Sequence, residues 1–561
     1  MTVVLRAAIL PAFMLLAARA VAQTPADFVF RGGTVYTADS AHPRASAVAV
    51  AGANIVYVGS DSGVAPFIGV HTIVFDLKGK MLLPGFQDSH LHPISGGMAL
   101  ADCVLDDDST RAMIVAKIKQ CAREHPGTGW LLGRGWALPI FPAANPSRRL
   151  LDSLAPGRPV YLRAADGHSA WVNSRALAIA GITAATPDPA RGVIMRDSSG
   201  APSGTLREEA TSLVSEHLPA RTAAEYRRGL REAMALAKRF GITSMQDASV
   251  DSVELAAYAA LDRQGALTVR VVAAILVDPA GGTAQVKRME ALRAQFTSAH
   301  VRPITAKIFA DGVIESGTAA LLEPYTGTHS VGPTDIQPAA MDSLVIALDK
   351  AGFQVHVHAI GDRAVREALD AFAAARAANG VRDSRHQIAH LEMIDTLDVP
   401  RFAQLGVLAN FQALWAFRDS YVRDLTEPVL GPERSSRLYP LGAVARAGGT
   451  IVGGSDWNVS SMNPLEAIQV GVTRRDPGAP AGPPWLPDQV VSLDRMLRAY
   501  TIMGAFANFQ ERRTGSIEVG KAADLILLDR DLFAIPAVQI HSTGVLLTLL
   551  NGHPVFRDPT Q

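Results

Sequence analysis

A His-x-His pair is the feature of this chain whose residue types and spacing most clearly suggest chemistry. His90 and His92 end the apolar run Leu83-Pro84-Gly85-Phe86-Gln87-Asp88-Ser89-His90-Leu91-His92. Side chains of a β-strand alternate between its two faces, so residues two apart point the same way. The two imidazoles can therefore converge on one divalent transition metal. By itself the pair is only moderately specific, because this spacing also arises by chance.

The elements that would position such a pair are strands of a parallel α/β fold. The middle of the chain alternates short apolar segments with helical stretches, which is the pattern of such a fold. We predict eight barrel strands, at residues 82–88, 242–247, 268–276, 304–309, 354–358, 386–391, 407–412 and 451–455. Eight strands with intervening helices indicate a (β/α)8 TIM-like barrel.

Potential ligands stand at the ends of five of these strands. They are His90 and His92 after strand 1, Lys307 in strand 4, His356 and His358 in strand 5, His390 in strand 6 and Asp456 after strand 8. Barrel enzymes place their chemistry at the C-terminal ends of the strands, so these side chains should meet at one mouth. A single histidine is more often structural, but this many at the same end favour a metal centre.

The two ends of the chain predict a separate β domain. Alternating apolar residues flank a turn at Gly52-Ala53-Asn54, and an Asn-Gly turn lies at Asn551-Gly552. Both are hairpin signals. We predict a composite β-sandwich domain from residues 23–83 plus 514–561, and a barrel domain over residues 84–513. The interval between strands 1 and 2 exceeds what one helix needs, which predicts an inserted subdomain at about residues 100–225.

Composition and the N-terminus limit the partners and the location of the protein. The 561 residues include 53 basic and 53 acidic side chains, so no basic surface for nucleic acid is expected. Arg6 is the only charge before the apolar run 7–18, and Ala20-Val21-Ala22 offers a small-x-small cleavage site. This pattern predicts a signal peptide over residues 1–22 and a secreted or periplasmic protein without stable membrane association after cleavage. The alternative is a membrane anchor, for which the run is short, since a span needs about 20 residues.

Cys103 and Cys121 are the two cysteines of the chain. Export permits a disulfide between them, and two free buried thiols are the alternative. Two cysteines at this separation make a poor metal site. The metal ligands are therefore sought among the histidine, aspartate, glutamate and lysine residues.

Five motifs together resemble the amidohydrolase superfamily. They are LPGFQDSHLH at 83–92, KIFADG at 307–312, HAIGDRAV at 358–365, GSDW at 454–457 and GSIEVGKAADL at 515–525. More narrowly, the chain resembles the branch of N-substituted formamide deformylases and related exported metal-dependent hydrolases (amidohydrolase family 3). The resemblance runs over nearly the whole chain after the signal peptide.

The resemblance implies a set of metal ligands. His90, His92 and Asp456 would hold one metal, and His358 and His390 a second. Lys307 would bridge the two as an N-carboxylated lysine, because an ammonium repels a cation whereas a carbamate is an anionic ligand. The alternative for Lys307 is an ordinary cation paired with Asp311. Strand alternation alone does not exclude His356 as a ligand, but the family motif favours His358.

The implied function is hydrolysis of a non-peptide C–N bond in an amide, formamide or cyclic amide. One or two divalent ions, expected to be Zn²⁺, would lower the pKa of bound water to about 7. Asp456 would accept the water proton and pass it to the leaving amine. His168, Trp136 and Asp311 are expected to bind or enclose a small-molecule substrate. The alternatives are an ester or lactone hydrolase and a non-catalytic binding or regulatory protein. The sequence leaves the oligomeric state open, and a homo-oligomer is one of its options.

Overall fold

A parallel β-barrel dominates the computed structural model, which describes residues 24–105 and 110–559. The predicted signal peptide lies outside these residues. Eight strands form the barrel sheet, and three further sheets accompany it. The predicted fold class is therefore confirmed: a (β/α)8 barrel with a β domain from both termini and an insertion after the first barrel strand.

The barrel strands follow one another around the barrel in chain order. Strands 1 to 8 are Phe86–Leu91, Ile242–Val250, Arg270–Leu276, Val301–Phe309, Gln354–Ala359, Gln387–His390, Leu408–Phe411 and Thr450–Gly453. Each pairs in parallel with the next. Where the end of strand 1 meets the segment after strand 8, the Asp456 N–H donates to the His90 carbonyl at 2.7 Å and the His92 N–H to the Trp457 carbonyl at 2.6 Å.

The predicted first strand, 82–88, is wrong in its bounds because two strands meet there. Met81–Pro84 belongs to a sheet of the terminal domain, and Phe86–Leu91 is the first barrel strand. Gly85 separates them, and its N–H donates to the Asp524 carbonyl at 2.9 Å. A Cβ at this position would lie 2.3 Å from the Thr243 side chain, so only glycine lets the chain pass between the two sheets.

The terminal domain contains two sheets. The first has the strands Asn54–Gly59, Ala47–Ala51, Phe28–Arg31 and Ile73–Asp76, in that order across the sheet, and the second has His553–Arg557, Val545–Leu550, Leu525–Leu528, Met81–Pro84, Thr34–Tyr36 and Arg44–Ala45. Residues from both chain ends, such as Val48 and Leu525, share one apolar core. The C-terminal hairpin turns at Asn551 and Gly552, whose φ angles of 49° and 73° are those an Asn-Gly turn requires.

A buried ion pair ties this domain to the base of the barrel. Arg270 begins the third barrel strand, and its Nε lies 2.8 Å from Asp524 Oδ2 while its Nη2 lies 3.2 Å from Oδ1. Both side chains are almost completely buried. The bidentate geometry satisfies the carboxylate that the terminal domain brings into the interface.

The insertion is built on a six-stranded sheet of its own. Its strands, in order across the sheet, are Gly192–Arg196, Pro202–Glu208, Ser169–Val172, Val160–Ala164, Leu131–Trp136 and Cys103–Val104. Cys103 and Cys121 form a disulfide with a Cα–Cα distance of 5.6 Å, which resolves the choice that the sequence left open. The disulfide joins the edge strand to the helix Arg111–Glu124.

Helices surround the barrel and fill the connections. Several begin with sequence-encoded caps; Thr222 with Glu225, and Asp251 with Glu254, form reciprocal capping boxes. Among residues 24–105 and 110–559, no helix combines the length and apolar character needed to cross a bilayer. The α-helices are Asp61–Val64, Pro93–Ala99, Arg111–Glu124, Arg148–Leu154, Ser174–Ile179, Ser212–Ser215, Ala223–Arg239, Ser252–Arg263, Val286–Phe296, Pro338–Lys350, Asp362–Asn379, Val399–Leu405, Glu427–Leu430, Pro432–Ser435, Leu441–Arg446, Pro464–Thr473, Leu493–Ala499 and Ile502–Ala507.

Candidate active site

Strands 1 and 8 bring together three residues that could hold a metal ion. One potential ligand atom from each of His90, His92 and Asp456 lies within 4.8 Å of the other two. Asp456 Oδ1 is 3.6 Å from His90 Nε2 and 3.2 Å from His92 Nε2. Two imidazole nitrogens and a carboxylate form a donor set that suits Zn²⁺.

Unpaired buried atoms show that this group fits a cation. His90 Nε2, Lys307 Nζ, His390 Nδ1 and Asp456 Oδ1 are buried without a hydrogen-bond partner in the part of the chain that the structure describes. Buried polar atoms are nearly always paired in folded proteins. Three of these four atoms, His90 Nε2, His390 Nδ1 and Asp456 Oδ1, carry lone pairs that can bind a cation, and their shared position at one barrel mouth fits a site for a divalent ion.

The remaining predicted ligands line the same mouth. The rings of His358 and His390 have centroids 4.4 Å apart, and His390 Nδ1 lies 3.9 Å from Asp456 Oδ2. His356 also points inward, with its Nε2 2.8 Å from His90 Nδ1. Strand alternation therefore places both His356 and His358 inside the barrel, as expected. His356 contacts a predicted ligand of the first metal, whereas His358 lies beside the other predicted ligand of the second.

Lys307 is a buried lysine whose Nζ has no hydrogen-bond partner in the part of the chain that the structure describes. It lies opposite His356 in the register of strands 4 and 5, its side chain is fully buried, and its Nζ lies 4.6 Å from the centre of the Phe309 ring. Burial lowers the pKa of Lys307 to about 7, although the charge of Asp456 acts in the opposite direction. The structure shows no ion pair between Lys307 and Asp311 among the residues it describes; both Asp311 oxygens accept backbone N–H groups.

Burial also controls the protonation of the histidines. It lowers the pKa of His90, His356, His358 and His390 well below the usual range, and the positive charge of Lys307 adds to the effect. These imidazoles are therefore neutral at neutral pH. A neutral imidazole has the free lone pair that metal coordination requires.

Two predicted ligands have a strained backbone. His390 has a φ of 78° and Asp456 a φ of 51°, in the left-handed region that costs a non-glycine residue about 1–2 kcal/mol. Asp456 is held there by its main-chain bond to His90, and the preceding Ser455 N–H donates to Asp88 Oδ1 at 3.0 Å. Strain of this kind, fixed by surrounding contacts, is typical of functional sites.

A layer of amide side chains supports the site from inside the barrel. Gln246 Nε2 lies 3.1 Å from the side-chain oxygens of both Thr305 and Gln354, and Gln387 donates to Gln246 Oε1 at 2.8 Å. Asn410 donates to Gln387 Oε1 and to the Ser89 carbonyl, each at 2.9 Å. This network links strands 1, 2, 4, 5, 6 and 7, so it fixes the spacing of the strand ends that carry the ligands.

The predicted substrate-binding residues occupy three different environments. His168 is partly exposed, and its ring centroid lies 5.4 Å from that of His358. Trp136 is completely buried within the insertion, where its Nε1–H donates to the Leu162 carbonyl at 2.9 Å. Asp311 is buried and binds backbone N–H groups at 2.9–3.0 Å. Substrate binding stays a prediction for all three, and the contacts of Trp136 and Asp311 favour structural roles.

Two further residues, Glu208 and Trp415, lie beside residues of the predicted site. Glu208 Oε2 lies 2.9 Å from His168 Nδ1, and Trp415 stacks on His390 with ring centroids 5.5 Å apart and an interplanar angle of 3°. Glu208 belongs to a strand that pairs with the one following His168. The sequence signal was weak, because the partners are 40 residues apart and no motif spacing connects them.

Comparisons with known proteins agree with this geometry. A profile of the Amidohydrolase family matches residues 73–556. Protein LONG AFTER FAR-RED 3 of Arabidopsis thaliana is 31% identical over 95% of this chain and 92% of its own length. N-substituted formamide deformylase of Arthrobacter pascens is 29% identical over 94% of this chain and 97% of its own length. A solved structure of an uncharacterized metal-dependent hydrolase from Pyrococcus furiosus, 26% identical, superposes with a TM-score of 0.67 over 90% of this chain and 99% of that one.

Proposed function

Because this chain belongs to the amidohydrolase family, and so is a metal-dependent hydrolase, we propose that it hydrolyses a non-peptide C–N bond in a small amide, formamide or cyclic amide. The observation that carries the proposal is the cluster of His90, His92 and Asp456, whose ligand atoms lie within 4.8 Å of one another. The name of the Arthrobacter pascens relative, N-substituted formamide deformylase, supports the choice of bond.

The chain's own residues would hold one or two divalent ions, which we propose are Zn²⁺. His90, His92 and Asp456 would bind one ion, and His358 and His390 a second. When bound, such an ion lowers the pKa of water to about 7 and polarises a carbonyl group. His356 Nε2 contacts His90 Nδ1. His356 would thereby hold the His90 ring in place, as partners of ligating histidines commonly do.

Lys307 would join the site as an N-carboxylated lysine. The ammonium would first lose one proton, and the neutral amine would then attack carbon dioxide, form an N–C bond and release a second proton. A cationic side chain would thereby become an anionic carbamate with two oxygens able to act as ligands. A pKa of about 7 supports this step, because a large fraction of the amine is then neutral at physiological pH. The lack of a hydrogen-bond partner for Lys307 Nζ among the described residues supports it as well.

Asp456 would move the proton during hydrolysis. Its Oδ1 is buried without a hydrogen-bond partner among the described residues, so it can accept a proton from the attacking water and return it to the leaving amine. The products are a carboxylate and an amine, or the ring-opened form of a cyclic amide. Trp415, flat against His390, offers an apolar surface for part of the substrate.

We further propose that the protein is exported. Support comes from the sequence of residues 1–22, with Arg6 before the apolar run 7–18 and a small-x-small site at Ala20-Val21-Ala22. The disulfide between Cys103 and Cys121 is also typical of oxidising compartments outside the cytosol. Detection of mature protein beginning at Gln23 in a periplasmic fraction would test this.

The first experiment is a metal analysis followed by matched substrates. About two zinc equivalents per chain, with a carboxylated Lys307 in a crystal, support the binuclear site. One equivalent with an unmodified lysine supports a mononuclear site and removes the ligand roles of His358 and His390. No metal, even after reconstitution, contradicts the proposal.

The substrates are 4-nitroacetanilide, 4-nitroformanilide and the ester 4-nitrophenyl acetate. We expect anilide hydrolysis that stops with chelator, returns with zinc and is lost in Asp456→Asn but retained in the surface variant Asp488→Asn. Metal-dependent cleavage of the ester alone would favour the ester or lactone alternative. Binding without turnover of any substrate would favour a binding protein.

A further inference from the structure

We propose, resting on the function above, that His168 is a catalytic residue of this site. Held by Glu208, it donates its Nε2–H to the oxygen of the carbonyl group under attack. The residue belongs to the insertion, so the insertion would supply part of the catalytic machinery rather than only a wall of the pocket. Glu208 acts through His168 and is a positioning residue.

Two paired strands of the insertion carry the dyad to the barrel mouth. His168 precedes Ser169–Val172, and Glu208 ends Pro202–Glu208; Ser169 lies opposite Arg207 in the antiparallel register. The Glu208 N–H donates to the His168 carbonyl at 2.8 Å. The main chain therefore fixes the two side chains beside each other before their own contact is considered.

The contact defines which ring nitrogen is available. His168 Nδ1 lies 2.9 Å from Glu208 Oε2. A carboxylate only accepts hydrogen bonds, so Nδ1 carries a hydrogen and is fully used by Glu208. Nε2 has no hydrogen-bond partner among residues 24–105 and 110–559, the His168 side chain is 20% exposed, and its ring centroid lies 5.4 Å from that of His358.

Glu208 is fixed from the barrel side as well. The Thr318 hydroxyl donates to Glu208 Oε1 at 2.6 Å, which joins the insertion to the loop after barrel strand 4. Gly312 in that loop leaves room for the carboxylate, since a Cβ there would lie 2.5 Å from Glu208 Oε1. Glu208 itself has a φ of 48°, a strained value for a glutamate.

A structural clamp between the insertion and the barrel would need only the contacts of Glu208 with His168 and Thr318. It would not need a partly exposed imidazole whose second nitrogen is unused at the edge of the proposed metal site. The backbone of His168 is fixed as well, because its main-chain N–H donates to buried Asp166 Oδ1 at 3.0 Å.

The step balances without proton transfer from His168. The water oxygen forms a bond to the carbonyl carbon, the C=O π electrons move to the carbonyl oxygen, and Asp456 accepts the water proton. The developing negative charge on that oxygen strengthens its hydrogen bond from Nε2–H. When the C=O bond re-forms and the C–N bond breaks, Asp456 gives the proton to the amine, and His168 keeps its own.

Methylphosphonate tests the inference because it is a tetrahedral anion that resembles the addition intermediate. Its affinity would be measured by calorimetry with zinc-loaded full-length protein, and zinc content would be determined for every variant. We expect His168→Gln to weaken binding by about tenfold or more, the value of one hydrogen bond to a charged group. Glu208→Gln keeps the side-chain shape and should weaken binding less, and kcat on 4-nitroacetanilide should fall in both with KM little changed.

Two matched controls come from the same chain. His300→Gln removes a histidine whose Nδ1 lies 2.8 Å from Asp262 Oδ1, at the opposite end of the barrel, and Glu209→Gln removes the neighbour of Glu208, which pairs with Arg191 at 3.3 Å. Both should bind methylphosphonate as the wild type does. Unchanged affinity in His168→Gln, or a parallel loss of zinc, would overturn the inference, as would no binding to zinc-loaded wild type. If wild type cleaves no anilide but binds methylphosphonate through His168, the proposed reaction fails while the donor role stands.

Discussion

Replacing Lys307 with methionine should stabilise the metal-free protein while it abolishes the function. The lysine is completely buried, and its Nζ has no hydrogen-bond partner within the described residues. Methionine has a similar length and no charge, so it should fill the same space among the barrel side chains. The fold alone gives no reason for a lysine at this position, and the proposed carbamate does.

The magnitude follows from the change in pKa on folding. Burial lowers the pKa of Lys307 from 10.5 to about 7, and each pKa unit corresponds to about 1.4 kcal/mol. The free-energy cost of the lysine is therefore about 5 kcal/mol at pH values below 7, where the folded protein must hold a buried ammonium. Between about pH 7 and pH 10.5 the unfolded chain binds the proton and the folded chain does not, so wild-type stability rises with pH. The advantage of Lys307→Met should shrink over that range and vanish above it.

The assay is urea unfolding of chelator-treated proteins in buffer free of carbon dioxide, at several pH values from 6 to 10. The control is Lys350→Met, which changes an exposed lysine and should alter the free energy of unfolding by no more than about 0.5 kcal/mol. A metal-free Lys307→Met protein that is no more stable than wild type at pH 7 would refute the reasoning. So would a stability difference that grows with pH. In the same variant, zinc content and anilide turnover should fall.

Three further predictions concern contacts away from the ligands. Cys103→Ser should destabilise the insertion by about 3 kcal/mol, because the disulfide closes a loop with a separation of 18 residues, and thermal unfolding with and without reductant would show it while zinc content stays unchanged. Asp524→Asn leaves Arg270 buried without its carboxylate, so urea unfolding should reveal a loss of about 3–5 kcal/mol. The Glu208 carboxylate helps to raise the pKa of His168 to about 9. The stability contributed by the Glu208–His168 contact should therefore be full below about pH 6.5 and lost as the pH rises through 9. The difference in melting temperature between wild type and Glu208→Gln should accordingly be largest near pH 6.

The sequence predicted those parts of the site that lie on single strands. Side chains two residues apart on a strand point to the same face. Once the end of each apolar segment is known, this period places His90 and His92, or His356 and His358, on the inside of the barrel. The end of a parallel strand also faces the mouth by necessity. For the same reason the prediction could not choose between His356 and His358, since their orientation is equivalent and only the neighbouring strands distinguish them.

Features that depend on pairing between distant segments could not be predicted. The division of segment 82–88 at Gly85 arises because two sheets meet there, and both parts are equally apolar. The His168–Glu208 contact depends on the antiparallel register of two insertion strands. The packing of Trp136 against Phe141 and Trp171 in the insertion's own core is a third such feature. An aromatic residue beside glycines has the same local sequence pattern in a pocket wall as in a core, and only the tertiary packing distinguishes these two positions.

The two ends of the barrel differ in how they affect stability, and this difference connects the site to the fold. At the mouth, the left-handed backbone of His390 and Asp456 and the buried Lys307 all raise the free energy of the metal-free state. At the base, the Arg270–Asp524 pair and the core shared by the two chain ends lower it. An ion that binds the folded mouth but not the unfolded chain stabilises the protein by RT ln(1 + [ion]/Kd). The composite domain therefore keeps the barrel mouth folded, despite its strained backbone and buried lysine, until a metal ion binds there.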